Sequence, residues 1–537
     1  MTPIRTLFVP SCGWATLAAS VFLIVPSKAD AGSTITARTA SFLDVSSAVA
    51  LAHDGDTVII PAGTASWISK LTISKGITLQ GATTVNTTGA GGANVTGSAN
   101  DQTIILDNVV RDAGGNAPIL DITLTPSQSF RLSGITLRAG SLTTGAGNGA
   151  IRIHGVCPSV RIDHIHFDGL HQDFINATDG ATGVIDHCLS DATQSGGYIT
   201  FGAGSWGGAA YGDGSWADSA HFGSDKFLFI EDCILNNGRS VQTNGNLDTV
   251  AGARYVARHN TFNNCLANTH GTESGGRRRG SRAIEIYNNT FQFTIPGNAT
   301  GGQLRAGTAL IHDNAYVGNI GSGMTLQVYR EWANFSVWGT ASGMNGLDSN
   351  DSANPHQTST VSSATSGTIT DNNANWTPNQ WVGYMLYNST TNRGSCIKSN
   401  TSKTITYLYD TTYGVNLAFN SGAKYAINKV LIALDQVGRG KGDLLTGDTP
   451  VNSLTGTVAW PHQALEPVYS WNNKLNGSNV NIGASNAPTL QENRDYFNNT
   501  PMPGYTPYTY PHPLVTGVPA PPAPPAPPTN LRVTPGQ

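Results

Sequence analysis

Charge is scarce in this chain. Lysine, arginine, aspartate and glutamate make up 12% of its 537 residues and leave a net charge of −4. A nucleic-acid binder would carry a strongly basic footprint, so that class is set aside. Cysteine is scarcer still, with six in all. Cys12 lies in the N-terminal stretch, and Cys157, Cys188, Cys233, Cys265 and Cys396 are an odd number without the close spacing of a zinc site. That pattern suits buried thiols, with room for one disulfide, better than a disulfide framework. Apolar runs long enough to span a membrane are missing after residue 31.

The N-terminus itself carries Arg5, an interrupted apolar stretch from Leu7 to Val25, and the small-residue triplet Ala29, Asp30, Ala31. It reads as a secretory signal over 1–31. A single membrane anchor is the alternative, though the stretch is short and broken by polar residues. The mature chain is expected to be secreted, extracellular or periplasmic, monomeric and free of the membrane.

Glycine is abundant, at 62 residues, and one six-residue phrase recurs. It reads IDHIHF from Ile162, IDHCLS from Ile185, IEDCIL from Ile230, ARHNTF from Ala257, IYNNTF from Ile286 and IHDNAY from Ile311. The starts are 23, 45, 27, 29 and 25 residues apart, a period that marks a solenoid. The step of 45 is either two coils or one coil with an excursion. Alternation inside each phrase indicates short strands. Stacked parallel coils would place Asn260, Asn289 and Asn314 one above another in an amide ladder, which assigns them to structure.

Upstream, Phe42, Val45, Val49 and Ala52 follow helical spacing and would shield the open end of the solenoid. The fold class expected is therefore all-β, a parallel β-helix over 32–356 with an N-terminal capping helix. Residues 357–430 alternate polar and apolar side chains and read as a small inserted β module. Residues 431–514 would end the helix and lie along it, and 515–537 form a proline-rich tail.

The opening DGDTVIIPAGTASWISKLTISKGITLQGA resembles the first coils of right-handed parallel β-helix proteins of the pectate-lyase-like superfamily, and with the coil phrases the resemblance spans roughly residues 33 to 340. Within that superfamily the chain looks like pectate lyases in one run: RHNTF from Arg258, then Arg277 and Arg282, then YNNTF from Tyr287. The resemblance implies cleavage of an acidic polysaccharide by β-elimination, with Arg277 as base and Arg282 on the substrate carboxylate. It also implies calcium, for which Asp163, Asp186, Asp232 and Asp248, with Glu231, are the candidate ligands. The chain departs from the family where Arg279 replaces a proline, and in a longer loop that adds His270 and Glu273.

Elimination needs a positive group on the uronate carboxylate and a base for the C5 proton. Arginine's fork suits the carboxylate, but its pKa opposes service as a base, whereas histidine titrates near neutrality. The residues alone thus rank His270 at least level with Arg277, leaving Arg278, Arg279 or Arg282, near Glu273, to hold substrate. The bland alternative makes GGRRRGSR a solvated basic turn. Trp206, Tyr211 and Trp216 sit in a glycine-rich stretch, where they either stack on sugar rings or fold back and pack. Two rival functions stay open: a glycoside hydrolase with paired carboxylates, such as Asp248 with Glu273 or Asp232 with Glu231, and a non-catalytic glycan-binding β-helix.

Overall fold

The computed structural model describes residues 32–112, 116–142, 149–170, 173–192, 199–202, 219–237, 245–250, 252–271, 280–297, 299–327, 355–382, 384–391, 393–407, 409, 417–428, 437–441, 464–484, 490 and 492–517. Short strands dominate, and each phrase of the repeat supplies two of them, separated by a sharp corner. The first strands, Val160–Asp163, Gly183–Asp186, Leu228–Glu231, Arg254–Arg258, Ala283–Tyr287 and Thr308–His312, lie in one parallel sheet of twelve strands. The second strands, such as Thr261–Asn263 and Thr290–Phe293, build a sheet of eleven, parallel but for its last strand. A third sheet of seven strands runs from Leu71–Ile73 to Leu266–Ala267, and a three-stranded continuation begins at Ala299–Leu304. Three strands per turn, each paired with its equivalent in the next turn, make a parallel β-helix.

The corner inside the phrase explains its polar third position. His164, His187, Asp232, His259, Asn288, Asp313 and Asn472 all have φ between 51° and 56°. This left-handed region strains most side chains and is best tolerated by glycine, Asn, Asp and His. The fourth position then turns inward. Asn260 Nδ2 donates to Asn289 Oδ1, Asn289 Nδ2 to Asn314 Oδ1 and Asn314 Nδ2 to Asn473 Oδ1, each at 3.0 Å. The expected ladder is present and one rung longer than the phrases showed. Two thiols extend it at the other end: Cys233 N–H donates to Asn260 Oδ1, and Cys188 N–H to Cys233 Sγ. Cys157, Cys188, Cys233 and Cys265 are free and buried; the Cys396 side chain lies outside the described residues.

Inward first and sixth positions fill the bore. Ile162, Ile185, Ile230, Ala257, Ile286 and Ile311 are buried, while Phe262, Phe291 and Tyr316 stack with centroids 4.5 and 5.1 Å apart. Burying such a side chain contributes about 1.5–3 kcal/mol. The helix Phe42–Leu51 closes the N-terminal end, with Ser41 Oγ accepting the Asp44 N–H as its cap and Phe42 edge-on to Trp67. The step of 45 residues proves to be one coil plus an excursion, since Gly183–Asp186 pairs directly with Leu228–Glu231. The inserted module is a seven-stranded antiparallel sheet between Gln357 and Asn428, with an apolar core of its own around Trp376, Leu386, Ile397, Ile405 and Tyr425.

Candidate active site on the uncovered sheet

Two of the three sheets are covered by the chain itself. The outward second positions of the first sheet, Asp163, Asp186, Glu231 and Arg258, are fully buried, and the C-terminal segment lies across this sheet from Arg161 to Arg258. Arg258 donates to the Tyr508 and Thr509 carbonyls at 2.7 and 2.8 Å and pairs with Glu231 at 2.6 Å. The His512 N–H donates to Glu231 Oε1, and the Tyr510 hydroxyl to Asp232 Oδ1. The second sheet is crossed by the hairpin Thr84–Asn86/Ser98–Asn100 and its tip. Gly91 N–H donates to Thr261 Oγ1, Asn94 N–H to Gln292 Oε1, and Asn263 Nδ2 to the Val95 carbonyl.

Among the described residues, no segment crosses the third sheet. Its outward row is set by register: Asp121, Arg152, Asn176, Thr200 and Asp248 are successive partners. Asp248 ends this row, and His270 folds onto it with Nδ1 against Asp248 Oδ2. The approach is fixed by backbone bonds, His270 N–H to the Thr249 carbonyl and Ser281 N–H to the His270 carbonyl. Asp248 Oδ1 is buried without a hydrogen-bond partner, so the carboxylate's charge is left to the imidazole. A neutral histidine that donates Nδ1–H to a carboxylate has Nε2 as its basic nitrogen. The side chain of His270 is 27% exposed, open enough to meet a ligand.

Two sequence-expected site residues therefore meet: His270, expected as the base, and Asp248, expected as a calcium ligand or as a carboxylate paired with Glu273, which here contacts His270 Nδ1. Arg282 does not join them as a ligand for substrate. It is buried, and its guanidinium lies 2.7 Å from Glu466 Oε2, so the chain's own carboxylate occupies it. Glu273, Arg277, Arg278 and Arg279 lie outside the described residues, as do Trp206, Tyr211 and Trp216. The backbone fixes where these stretches leave the helix. Gly271 and Gly280, which bracket the arginines, are so close that a Cβ on Gly280 would come within 2.9 Å of Gly271 Cα. The stretch with the aromatics follows Ile199–Gly202, the strand paired with Leu247–Val250 beside Asp248.

The four aspartates expected to hold calcium do not fit that ion. Asp163 is bonded by Arg131, Ser133 and His164; burial opposes its ionisation, yet these donors hold it well below the usual carboxylate range. Asp186 is taken by Arg161 and His187, Asp232 by Tyr510, and Asp248 faces another sheet. Calcium requires six or more oxygens converging on one point. Glu231 is equally committed, which removes Asp232 with Glu231 as a catalytic pair.

A cluster absent from the sequence reading lies beneath the hairpin on the second sheet. His166 sits between Asp101 Oδ1 at 2.8 Å and Asp191 Oδ2 at 3.0 Å. Burial disfavours its protonation, but the two carboxylates win and raise its pKa. Arg138 binds both Asp101 and Asp168, supplying the positive charge a metal would otherwise bring. The group acts as a clasp between hairpin and sheet, joining residues 65 apart in sequence, and only the register of the coils reveals it.

Neither a family model nor a curated protein matches this chain. Two solved structures are distantly similar. One is titled Geobacillus virus E2 ORF18, at 11% identity, covering 79% of this chain and 82% of that one with a TM-score of 0.28. The other is the tailspike protein gp49 from Acinetobacter baumannii bacteriophage Fri1, a capsular polysaccharide depolymerase, at 13% identity, 73% and 79% coverage and a TM-score of 0.22. At these scores neither likeness bears on the chemistry of the site.

Proposed function

We propose that this β-helix is an exported polysaccharide lyase that cleaves a uronate-containing glycan by β-elimination, with His270 as the base. The observation that supports it is the His270–Asp248 pair, set on the sheet that no described segment crosses and at the foot of the stretch carrying Arg277, Arg278 and Arg279. In the reaction, His270 Nε2 takes the C5 proton. The electron pair forms the C4–C5 double bond as the C4–O bond breaks, and the departing oxygen gains a proton from water, while the His270 imidazolium later releases its proton to solvent. A guanidinium from the 277–279 run holds the carboxylate and acidifies the C5 proton. Asp248 positions the imidazole, as the orienting carboxylate of a catalytic triad does. No step is routed through a metal.

The test is an assay of the purified protein on pectate, alginate and glucuronan for unsaturated, ultraviolet-absorbing ends. His270→Gln should lower the rate by about 10²–10⁴-fold, the usual worth of a general base. Chain cleavage without ultraviolet absorbance, or a His270→Gln protein as fast as the parent, sinks the proposal. Glycoside hydrolysis needs two carboxylates facing one bond, and of the acidic pairs considered one is consumed beneath the C-terminal segment.

A further inference from the structure

The outward arginines of the covered sheets are spent on carboxylates: Arg131 on Asp163, Arg161 on Asp186, Arg258 on Glu231, and Arg138 on Asp101 and Asp168. On the uncovered sheet Arg152 differs. It stands on Ile151–His154, half-buried, and makes no hydrogen bond or ion pair with the described residues. Its register neighbour Asp121 would be a ready partner. That carboxylate instead takes Lys70 Nζ on Oδ2 at 2.6 Å, with His154 3.5 Å from the other oxygen. Asp121 Oδ1 is left buried and without a hydrogen bond, and the guanidinium beside it still does not turn to it.

A chain with so little charge places an unpaired cation in the same outward row as Asp248, three rungs away. At about 4.8 Å per rung, the separation along the helix axis is about 14 Å. Asn176 occupies the rung next to Arg152 and is able to hydrogen-bond hydroxyl groups. We infer that Arg152 is a carboxylate-binding subsite for a uronate unit remote from the scissile bond, so that the acidic glycan lies along the axis with its reacting unit at His270. The inference rests on the proposed reaction for its substrate class. It adds that the chain is bound along the third sheet and that one anionic group is read at Arg152. A planar fork with a carboxylate within reach forms paired charge-assisted hydrogen bonds.

The experiment separates this subsite from the chemistry. A His270→Ala protein is titrated with short oligogalacturonate, oligomannuronate and oligoglucuronate, and with the methyl ester of whichever binds, by calorimetry. Adding Arg152→Gln should weaken binding of the acid about tenfold or more while leaving the neutral ester little changed. In a protein with His270 intact, the same substitution should raise KM more than it lowers kcat. Unchanged thermal melting identifies the Arg152→Gln protein as folded. Equal loss for acid and ester, no loss for either, or no binding of any oligouronate overturns the inference. Binding that depends on Arg152, with no unsaturated product from the parent protein, keeps the subsite and removes the elimination reaction.

Discussion

The first and third sheets are built from the same coils yet treat charge in opposite ways. On the first sheet, Glu231, Arg258, Asp163 and Asp186 are fully buried and every one is answered by a partner from an adjacent coil or the C-terminal segment. On the third, Arg152 has no partner among the described residues, Asp121 and Asp248 each keep one unsatisfied oxygen, and His270 stays partly open. Charges sealed beneath a strap hold the molecule together. On the third sheet the partly exposed Arg152 and His270 are the charged or titratable groups a ligand could reach. Substitutions should therefore separate cleanly, with activity lost from one sheet and stability from the other.

The largest effect belongs to the open face. Beside the loss expected for His270→Gln, Asp248→Asn should lower kcat by on the order of 10²-fold or more, because an amide no longer enforces the productive tautomer. As a positioning residue, Asp248 should also shift the pH profile of kcat/KM, which loss of mere packing would leave in place. In thermal melting His270→Gln, whose amide can still donate to Asp248, should cost no more than about 1–3 kcal/mol of stability, the worth of one buried hydrogen bond. A melting loss that matches the activity loss would merge the two sheets into one structural role.

On the covered face, Arg258→Ala should cost about 3–5 kcal/mol, since it strands Glu231 as an uncompensated buried carboxylate and frees two carbonyls of the C-terminal segment. Denaturant unfolding measures it. Restoration by Glu231→Gln in the same protein would identify the stranded charge as the cause. Unchanged stability would mean that the segment does not seal the sheet.

Glu285 gives the covered face a pH dependence. Burial pushes its carboxyl up from 4.5 to about 7, against the hydrogen bonds from Tyr505 and Gly223. A raised pKa means the folded protein holds a proton that the unfolded chain has lost between those values. Its contribution is whole below about pH 4.5 and fades as pH rises through about 7, by about 3 kcal/mol in full. Melting temperature should fall over that window, and Glu285→Gln should flatten the fall. An identical slope in both proteins would place the titrating group elsewhere.

The repeat, the asparagine ladder and the capping helix could be read from the chain because like residues stack on like at a fixed spacing. His270 was legible for its chemistry alone. Its partner Asp248 carried no local mark, since 22 residues and a full coil separate them. The carboxylates expected to hold calcium are dispersed for a related reason. Asp163 and Asp186 sit in phrases that look acidic in sequence, but Arg131 and Arg161, one coil earlier, neutralise them. Periodicity specifies which residues share a row; whether a row is open depends on straps that come from the far ends of the chain.

The smallest effect tests the ladder, where thiol and amide rungs meet. At Asn260 the neighbour on one side is already Cys233, whose backbone N–H bonds to Asn260 Oδ1. Asn260→Cys moves the thiol–amide boundary by one rung. Asn289 Oδ1 still accepts the residue 260 N–H, a main-chain bond that the substitution leaves intact. Asn289→Cys instead interrupts the amides on both sides and removes the acceptor of both the Asn260 side-chain amide and the Asn260 N–H, while Asn314 Oδ1 keeps the residue 289 N–H. A buried unsatisfied group costs about 1–3 kcal/mol, so Asn289→Cys should destabilise by about 2 kcal/mol and Asn260→Cys by about 1. Equal costs in chemical denaturation would show that the rungs act independently, and that the ladder is a column of separate hydrogen bonds with no dependence on where it is broken.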